Sequence, residues 1–598
     1  MSEEQKMSII VQKFGGSSLA DPAKILAAAD RAIRARQEGH QVVMVVSAMG
    51  KNTDTLVELA KQVNQQPSAR EMDMLLATGE QVSVALMAMA IDSLGHQAVS
   101  LTGGQIGIRT DSTHTKARII SISTERIENL LSEGRIVIAA GFQGIDENYD
   151  ITTLGRGGSD TTAVALAAVL GAARCEIYTD VDGIYTTDPN VLPTAQRMTQ
   201  VSYDEMLELA SLGAGVMHSR AIEFAKKYSI PILVRSSTVD RPGTMIWDLP
   251  GDISRAGCGA VLDENEALVT LAGIPDIPGS SSEIFSRIAS QKITVDMIVQ
   301  NVGWNGHSGL SFTVPRNELE MTLDVIDQVR QALKVEQVIH SADVAKVSVV
   351  GSGMAHQTGV AEKMFRAISG AGINVLMITT SQIKISVLVE RCDARAALEA
   401  VHQAFELDQP IENGTSDQIE SPQPRAQEER VAVVDRLRGM EELVIDDISL
   451  DPSQSRITLE GVPDQPGVAT FVFEAVARAG IVVDMIIQSH LDRDGLANIS
   501  FTTPHEDLQA CQDLCRTLVD ELPCQGMSSS PRAAKLSVSG IGLRSHTGVA
   551  RRMFQALGSA GINVELTNTS EVRVNVIVAA EEGEQALALV KEAFADFQ

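Results

Sequence analysis

Thr153-Leu154-Gly155-Arg156-Gly157-Gly158-Ser159-Asp160-Thr161-Thr162 is a glycine loop that opens an alanine-rich helical stretch. Near the start of the chain a strand-like apolar run ends in a second glycine turn, Lys13-Phe14-Gly15-Gly16-Ser17-Ser18. Backbone N–H groups in such turns and at a helix N-terminus point at an anion, and glycine lets the chain approach it closely. With Lys13 and Arg156 adding fixed positive charge, the two loops read as one phosphate cradle. Around them short β-branched runs, Ser8 to Gln12, Gln41 to Val46, Ile136 to Ala140, Glu176 to Thr179 and Ile230 to Val234, alternate with helical patterns at Pro22 to Gln37, Met72 to Leu94, Thr161 to Leu170 and Ser202 to Leu212. That rhythm predicts a mostly parallel sheet covered on both faces, with ligands outside the carboxyl ends of its strands. Lys13, Ser47, Phe142 and Asp180 fall at or just beyond such ends, so a single shared cleft is expected.

A chain of 598 residues is too long for one core. Its 49 Lys plus Arg against 77 Asp plus Glu leave a net charge of -28, which argues against nucleic acid or an anionic membrane as the main partner. No uncharged apolar run long enough for a membrane span and no signal-peptide core is evident, so the expected location is cytoplasmic. The six cysteines show no CxxC pair and no metal-ligand spacing, and neither a disulfide framework nor a metal cage is expected. His114, His218, His356 and His546 have no Cys, Ser or metal-ligand neighbour at useful spacing and read as structural or surface residues.

The second half is internally duplicated. Gly273-Ile274-Pro275-Asp276-Ile277-Pro278-Gly279 recurs as Gly461-Val462-Pro463-Asp464-Gln465-Pro466-Gly467, and Asp296-Met297-Ile298-Val299-Gln300 as Asp484-Met485-Ile486-Ile487-Gln488. Ser311 to Pro315 recurs as Ser500 to Pro504 one residue out of step, placing an extra residue in the intervening hairpin. His356 to Phe365 and Ala371 to Val375 recur likewise at Ser545 to Phe554 and Ala560 to Val564. The pattern predicts four βαββαβ units in two tandem pairs, at 262–338, 343–407, 441–525 and 531–598, with a Pro-, Gln- and Glu-rich linker at 408–440.

No Walker A sequence and no His-Arg-Asp or Asp-Phe-Gly set occurs. The wording of both glycine loops, with Thr179-Asp180-Val181-Asp182-Gly183-Ile184-Tyr185-Thr186-Thr187-Asp188-Pro189, resembles the aspartate kinases of the amino acid kinase family. The resemblance implies a three-layer α/β/α catalytic domain over 1–255. It also implies transfer of a phosphoryl group from ATP, with Mg²⁺ held by phosphate oxygens and water, to the side-chain carboxylate of L-aspartate. Lys13 would then stabilise the transferring group with Gly15 and Gly16, Asp160 would orient Lys13, and Arg156 would hold a substrate carboxylate. The family places the acceptor against residues matching Ser47, Thr53, Glu80, Phe142, Arg156, Gly157, Gly158 and Ser159, and the nucleotide against Lys13, Gly16, Ser17, Thr179, Asp180, Tyr185, Asp188 and Pro189. Read without the family, Ser159 and Asp160 are also helix-capping types, Glu80 in its apolar helix pattern reads as kept for a partner with a partly exposed helix face as the alternative, and Asp180 to Gly183 fits a plain turn. Asn190 and Gly215 stand where relatives carry an Arg and a Lys near the nucleotide, and Arg197 is a possible substitute.

The repeated units resemble ACT domains, the amino-acid-sensing modules of aspartate kinases. This implies feedback by lysine, threonine or both, and a homodimer through ACT pairing. Asp276, Gln300 and Asn301 with Ile373, Asn374, Thr379 and Ser381 would line one effector site, and Asp464, Gln488, Ile562, Asn563 and Ser570 its counterpart. The Asp-x-Pro-Gly turn alone is also a plain helix entry. A glutamate kinase, and an amino-acid sensor with an inactive kinase domain, are the alternative readings.

Overall fold

The structure, a computed structural model, describes residues 8–213, 216–249, 256–291, 293–302, 307–410, 444–490, 495–541, 543, 548–570 and 572–597. Gly215, His546, the tips of the two repeated hairpins and most of the 408–440 linker lie outside them.

Residues 8–249 fold around an eight-stranded sheet ordered Gln200–Ser202, Thr244–Trp247, Ile232–Ser236, Arg174–Thr179, Ile9–Phe14, Gln41–Val46, Ile136–Ala140, Ala98–Leu101. Every neighbouring pair is parallel except Ile232–Ser236 with Thr244–Trp247. The apolar runs are continuous because both faces are covered, and successive residues enter different cores. Val43, Val45, Val137 and Ala139 pack with helix Gly158–Leu170 on one side, while Val42, Met44, Val46, Ile136 and Ile138 pack with helices Pro22–Gln37 and Ala69–Ser93 on the other. The strand expected from Ile230 starts instead at Ile232, after Pro231, which has no N–H to give the ladder. A small second sheet, Ile119–Ile122, Ile108–Thr110, Gln143–Ile145 and Ile151–Thr153, has strands too short to announce themselves by periodicity. Helix Ala69–Ser93 is long and apolar enough to cross a bilayer by composition. It nevertheless buries Asp73 and Glu80 and packs on the sheet.

The second half supplies twelve strands closed into one ring. The four units appear, but the two in each pair are interlocked. Gly259–Pro275 closes the second unit with its first residues, pairing Ala260 with Val349, and opens the first unit with its last, pairing Val269 with Phe312. Val444–Pro463 does the same in the second pair. The units also meet across the pairs. Ile298–Val302 abuts Leu566–Thr569 of the fourth unit, and Met377–Thr380 abuts Ile486–His490 of the third. Two shared cores follow, one for units one and four and one for units two and three.

Unit two also grips the first domain. Helix Tyr203–Ser211 presents Glu208, which is fully buried, to Lys384 at 2.7 Å, and Glu205 accepts from the backbone N–H (2.9 Å) and hydroxyl (2.6 Å) of Ser352. The Thr186 hydroxyl donates to the Leu407 carbonyl at 3.0 Å.

Candidate active site and effector interfaces

The carboxyl ends of the central strands run on into the loops in register. Gly15 N–H donates to Tyr178 O, Ser47 N–H to Phe14 O, and Gly141 N–H to Val46 O. This brings the turns after Phe14, Val46, Ala140 and Thr179 side by side, as the sequence predicts. From above the sheet, helix Gly158–Leu170 enters with Gly157 as its N-cap at φ +71°. Its first-turn carboxylate, Asp160, meets Lys13 Nζ at 2.5 Å, both side chains 11% exposed. Asp160 therefore makes an ion pair, and no side-chain cap is made at this helix. The pair sits at the positive end of the helix, where a carboxylate is stabilised.

Glycine at 157 is required twice over, by its left-handed φ and because a Cβ there would lie 2.3 Å from His218 Cβ. At Gly158 the missing side chain is replaced by Leu154 and Phe142, so these glycines accommodate the protein's own packing. Phe142 itself has φ +69°, a strained value for a bulky residue of the kind that clusters at functional sites.

Glu80 is 4% exposed. A close approach at Gly79, where a Cβ would stand 2.8 Å from Ala48 Cβ, lets Glu80 accept from the Ala48 N–H at 3.0 Å. Its other oxygen is buried without a hydrogen-bond partner among the described residues. Burial pushes the Glu80 carboxyl up to about 7, only partly offset by the Ala48 N–H. Of the two readings the sequence allows, the buried carboxylate kept for a partner agrees with the structure and the partly exposed helix face does not. Ser47 and Thr53 are half-buried nearby in sequence, and Arg156 is exposed at the loop apex.

Among the residues expected to face the nucleotide, Thr179 donates to Asp180 at 3.0 Å, and the Tyr185 hydroxyl donates to Asp182 at 2.7 Å, with Arg241 on the same carboxylate at 2.7 Å. Asn190 folds back on Asp188, donating its backbone N–H at 2.8 Å and its side-chain N–H at 3.0 Å. The Arg197 guanidinium donates one N–H to the Gly243 carbonyl. Ser17 and Pro189 are exposed, and the Ser17 carbonyl accepts from Lys24.

Two residues passed over in sequence belong here. Asp73, fully buried, accepts from Thr115 N–H, from the Thr153 hydroxyl at 2.5 Å and contacts His114 Nδ1 at 2.8 Å, tying helix Ala69–Ser93 to the start of the glycine loop. Its spacing of two helical turns from Glu80, on the same apolar face, is the signal that could have found it. His218 shares a cavity of about 450 Å³ with Gly157 and Asp160.

The effector candidates are brought together in a different grouping from that expected. Asn563 donates to Asp276 and Asn374 to Asp464, each at 2.9 Å, while Gln300 donates to Val564 O and Gln488 to Val375 O. Asp276 and Gln300 thus belong with Ile562 and Asn563, and Asp464 and Gln488 with Ile373 and Asn374, because the ring pairs unit one with four and two with three. The Asn301 side chain lies outside the described residues. Thr379 is buried in the sheet opposite Ile487, and Ser381 and Ser570 each close a tight turn through their backbone N–H. Between units two and three opens a cavity of about 440 Å³ lined by Gln357, Glu362, Ser381, Asp484 and Lys535, whereas Asn374 and Gln488 line a separate, much smaller one.

Known proteins match over the whole of this layout. The amino acid kinase family matches residues 8–236, and the ACT domain matches 347–405, 457–516 and 536–594. An aspartokinase of Bacillus sp. strain MGA3 is 49% identical over 402 residues, 67% of this chain and 98% of its own. A crystal structure of aspartate kinase from Synechocystis is 39% identical, covers 98% of both chains and superposes with a TM-score of 0.52. Aspartokinase III of E. coli, 25–26% identical over 66% of this chain and 99% of its own, is known with aspartate and ADP (TM-score 0.57) and with lysine and aspartate (TM-score 0.53). With the Lys13–Asp160 pair seated at a glycine-loop helix and a ring of sensing units clamped to the kinase domain, the chain belongs to the aspartokinases, allosterically regulated aspartate kinases of the amino acid kinase family.

Proposed function

We propose that ATP is the phosphoryl donor and that the product is 4-phospho-L-aspartate, the entry to lysine, threonine and methionine synthesis. The observation that carries this reading is the Lys13–Asp160 pair at the N-terminus of Gly158–Leu170, a cation and a row of N–H groups facing one point. MgATP supplies the group to be transferred, and its supply places the reaction in the cytoplasm. Among the described residues the single three-ligand cluster, Glu390, Cys392 and Asp393, belongs to unit two, so Mg²⁺ at the active site would rest on phosphate oxygens and water. Lys13 neutralises charge on the transferring group, and Asp160 fixes the direction of its ammonium. The attacking carboxylate is already ionised at neutral pH, so positioning and charge neutralisation are the protein's task. Arg156 pairs with a carboxylate of the acceptor, Glu80 takes its α-ammonium, and Ser47, Thr53 and Phe142 bound the pocket. On the donor side, Gly15, Gly16 and Ser17 face the phosphates while Thr179, Asp180, Tyr185, Asp188 and Pro189 hold the remainder of the nucleotide.

This role for Glu80 has a pH signature. Its carboxyl must ionise to pair with an ammonium, so the KM for aspartate is expected to fall as pH rises through about 7. In the unliganded protein the sign is opposite. A raised carboxyl contributes stability that is full below 4.5 and is lost as pH rises through about 7. Glu80→Gln should flatten that loss in a thermal-unfolding series while abolishing tight aspartate binding; an unchanged pH dependence in the variant would remove Glu80 from the acceptor site.

We further propose that the first unit is a fourth ACT domain, since it repeats the strand and helix order of the other three. The two interfaces then serve as feedback sites, for lysine, threonine or both. In the cavity between units two and three Glu362 already pairs with Arg366 and Asp484 with Lys535, so an effector ammonium would be held there by exchanging these ion pairs; the repeat places Arg551 where Glu362 stands. Ring closure pairs these units within one chain, so a homodimer would use helix faces rather than strand edges. Trapping the acyl phosphate with hydroxylamine, with aspartate or glutamate as acceptor and lysine and threonine added singly and together, tests the whole reading. Glutamate turnover matching aspartate turnover would overturn the assignment of the acceptor.

A further inference from the structure

The residue nearest the glycine loop that no role above absorbs is His218. Its Cβ, Cγ and Cδ2 occupy the space a side chain on Gly157 would need, at 2.3, 2.5 and 3.0 Å from that Cβ position. It is the N-cap of helix Ser219–Tyr228, where Nδ1 accepts from the Arg220 backbone N–H at 3.4 Å. The Arg220 guanidinium donates to Leu154 O at 2.7 Å and Ala117 O at 3.0 Å, so the same turn clasps the glycine loop from behind. An imidazole that accepts at Nδ1 is neutral and carries its proton on Nε2. Nε2 adjoins the Cδ2 edge that lies along Gly157, and the residue lines the cavity holding Gly157 and Asp160.

We propose that His218 is a further catalytic residue for phosphoryl transfer, presenting a neutral Nε2–H beside the N-terminus of Gly158–Leu170 as an added donor to the phosphoryl oxygens. The charged groups around it favour that state: burial lowers its affinity for a proton, Arg220 and Arg156 lower it further, and Asp160, already paired with Lys13, opposes them. A neutral donor suits this position because Lys13 and Arg156 already provide the cations. The inference rests on the kinase reading but concerns a residue apart from Lys13 and Asp160.

The two nitrogens can be separated by substitution in the full-length protein. Asparagine places its amide oxygen near the Nδ1 position and is a good N-cap, but has no donor at the Nε2 position. Glutamine reaches the Nε2 position with an N–H. We expect His218→Asn to keep the wild-type unfolding temperature and aspartate KM while kcat falls about 10- to 100-fold, the range for a lost hydrogen bond to a charged group. His218→Gln should recover most of that loss. If Asn turns over at the wild-type rate, or if Asn and Gln are equally impaired, the residue only packs and caps, and the proposal is overturned. Absence of aspartate turnover in the wild-type protein, measured in the same assay, would instead strike the kinase reading beneath it.

Discussion

Lys13→Ala is expected to lower kcat by about 10²- to 10³-fold or more, with the protein still folded and still binding nucleotide. The lower bound is the cost of removing one preorganised charge-stabilising donor from a transition state. Lys13 is more than such a donor, because Asp160 holds it at 2.5 Å and thereby removes its freedom before substrate arrives. The fold should survive because the Asp160 carboxylate left behind remains in the first turn of a helix, where the backbone dipole stabilises it, and can draw in water. Lys13→Arg separates charge from placement: the cation persists, but a planar fork cannot occupy the position of a point ammonium beside Gly15, where Nζ lies 3.6 Å from the site of a Cβ. We expect it to recover little. The measurement is kcat by hydroxamate trapping, with thermal unfolding as the control. A Lys13→Ala enzyme within tenfold of wild type would mean that the phosphoryl group passes elsewhere in the cleft.

That residue was legible because its surroundings were local. A strand, a cation and two glycines follow one another in sequence, and Val42 to Val46 alternates into two cores as a doubly covered strand must. The repeats were legible for the same reason, each carrying its own turn and helix. What the sequence left open was the matching of repeats, because similar copies have similar edges and only the ring decides which edges meet. Asp276 therefore found Asn563 rather than Asn374. His218 was illegible for a related reason: it meets Gly157 only in the folded chain, where Arg220 from the same turn bonds to Leu154 O of the loop. Glu205 and Glu208 look like ordinary helix-surface carboxylates until unit two covers them.

That covering is where regulation has to cross. Glu208 is fully buried and Lys384 is 6% exposed, so truncating one partner strands a charge: Lys384→Met is expected to cost about 3–5 kcal/mol in a denaturant titration. Replacing both, Lys384→Met with Glu208→Leu, removes the stranded charge and should restore stability to near the wild-type level. The double variant is the informative one. Helix Tyr203–Ser211 ends in Ala210 and Ser211, which line the cavity with Gly157, Asp160 and His218. Lys384 follows directly on the Ser381–Gln382 turn that walls the cavity between units two and three. The ion pair thus joins the unit that walls this cavity to the helix that reaches the glycine loop, and an apolar pair can hold the surfaces together without fixing their register. We expect the double variant to keep turnover near wild type while the lysine or threonine concentration needed for half-inhibition rises about 5- to 150-fold, the span of ordinary allosteric coupling energies. Inhibition curves that superpose on those of the wild-type enzyme would show that the signal bypasses this ion pair and crosses through the other contacts of unit two, Ser352 with Glu205 or Thr186 with Leu407.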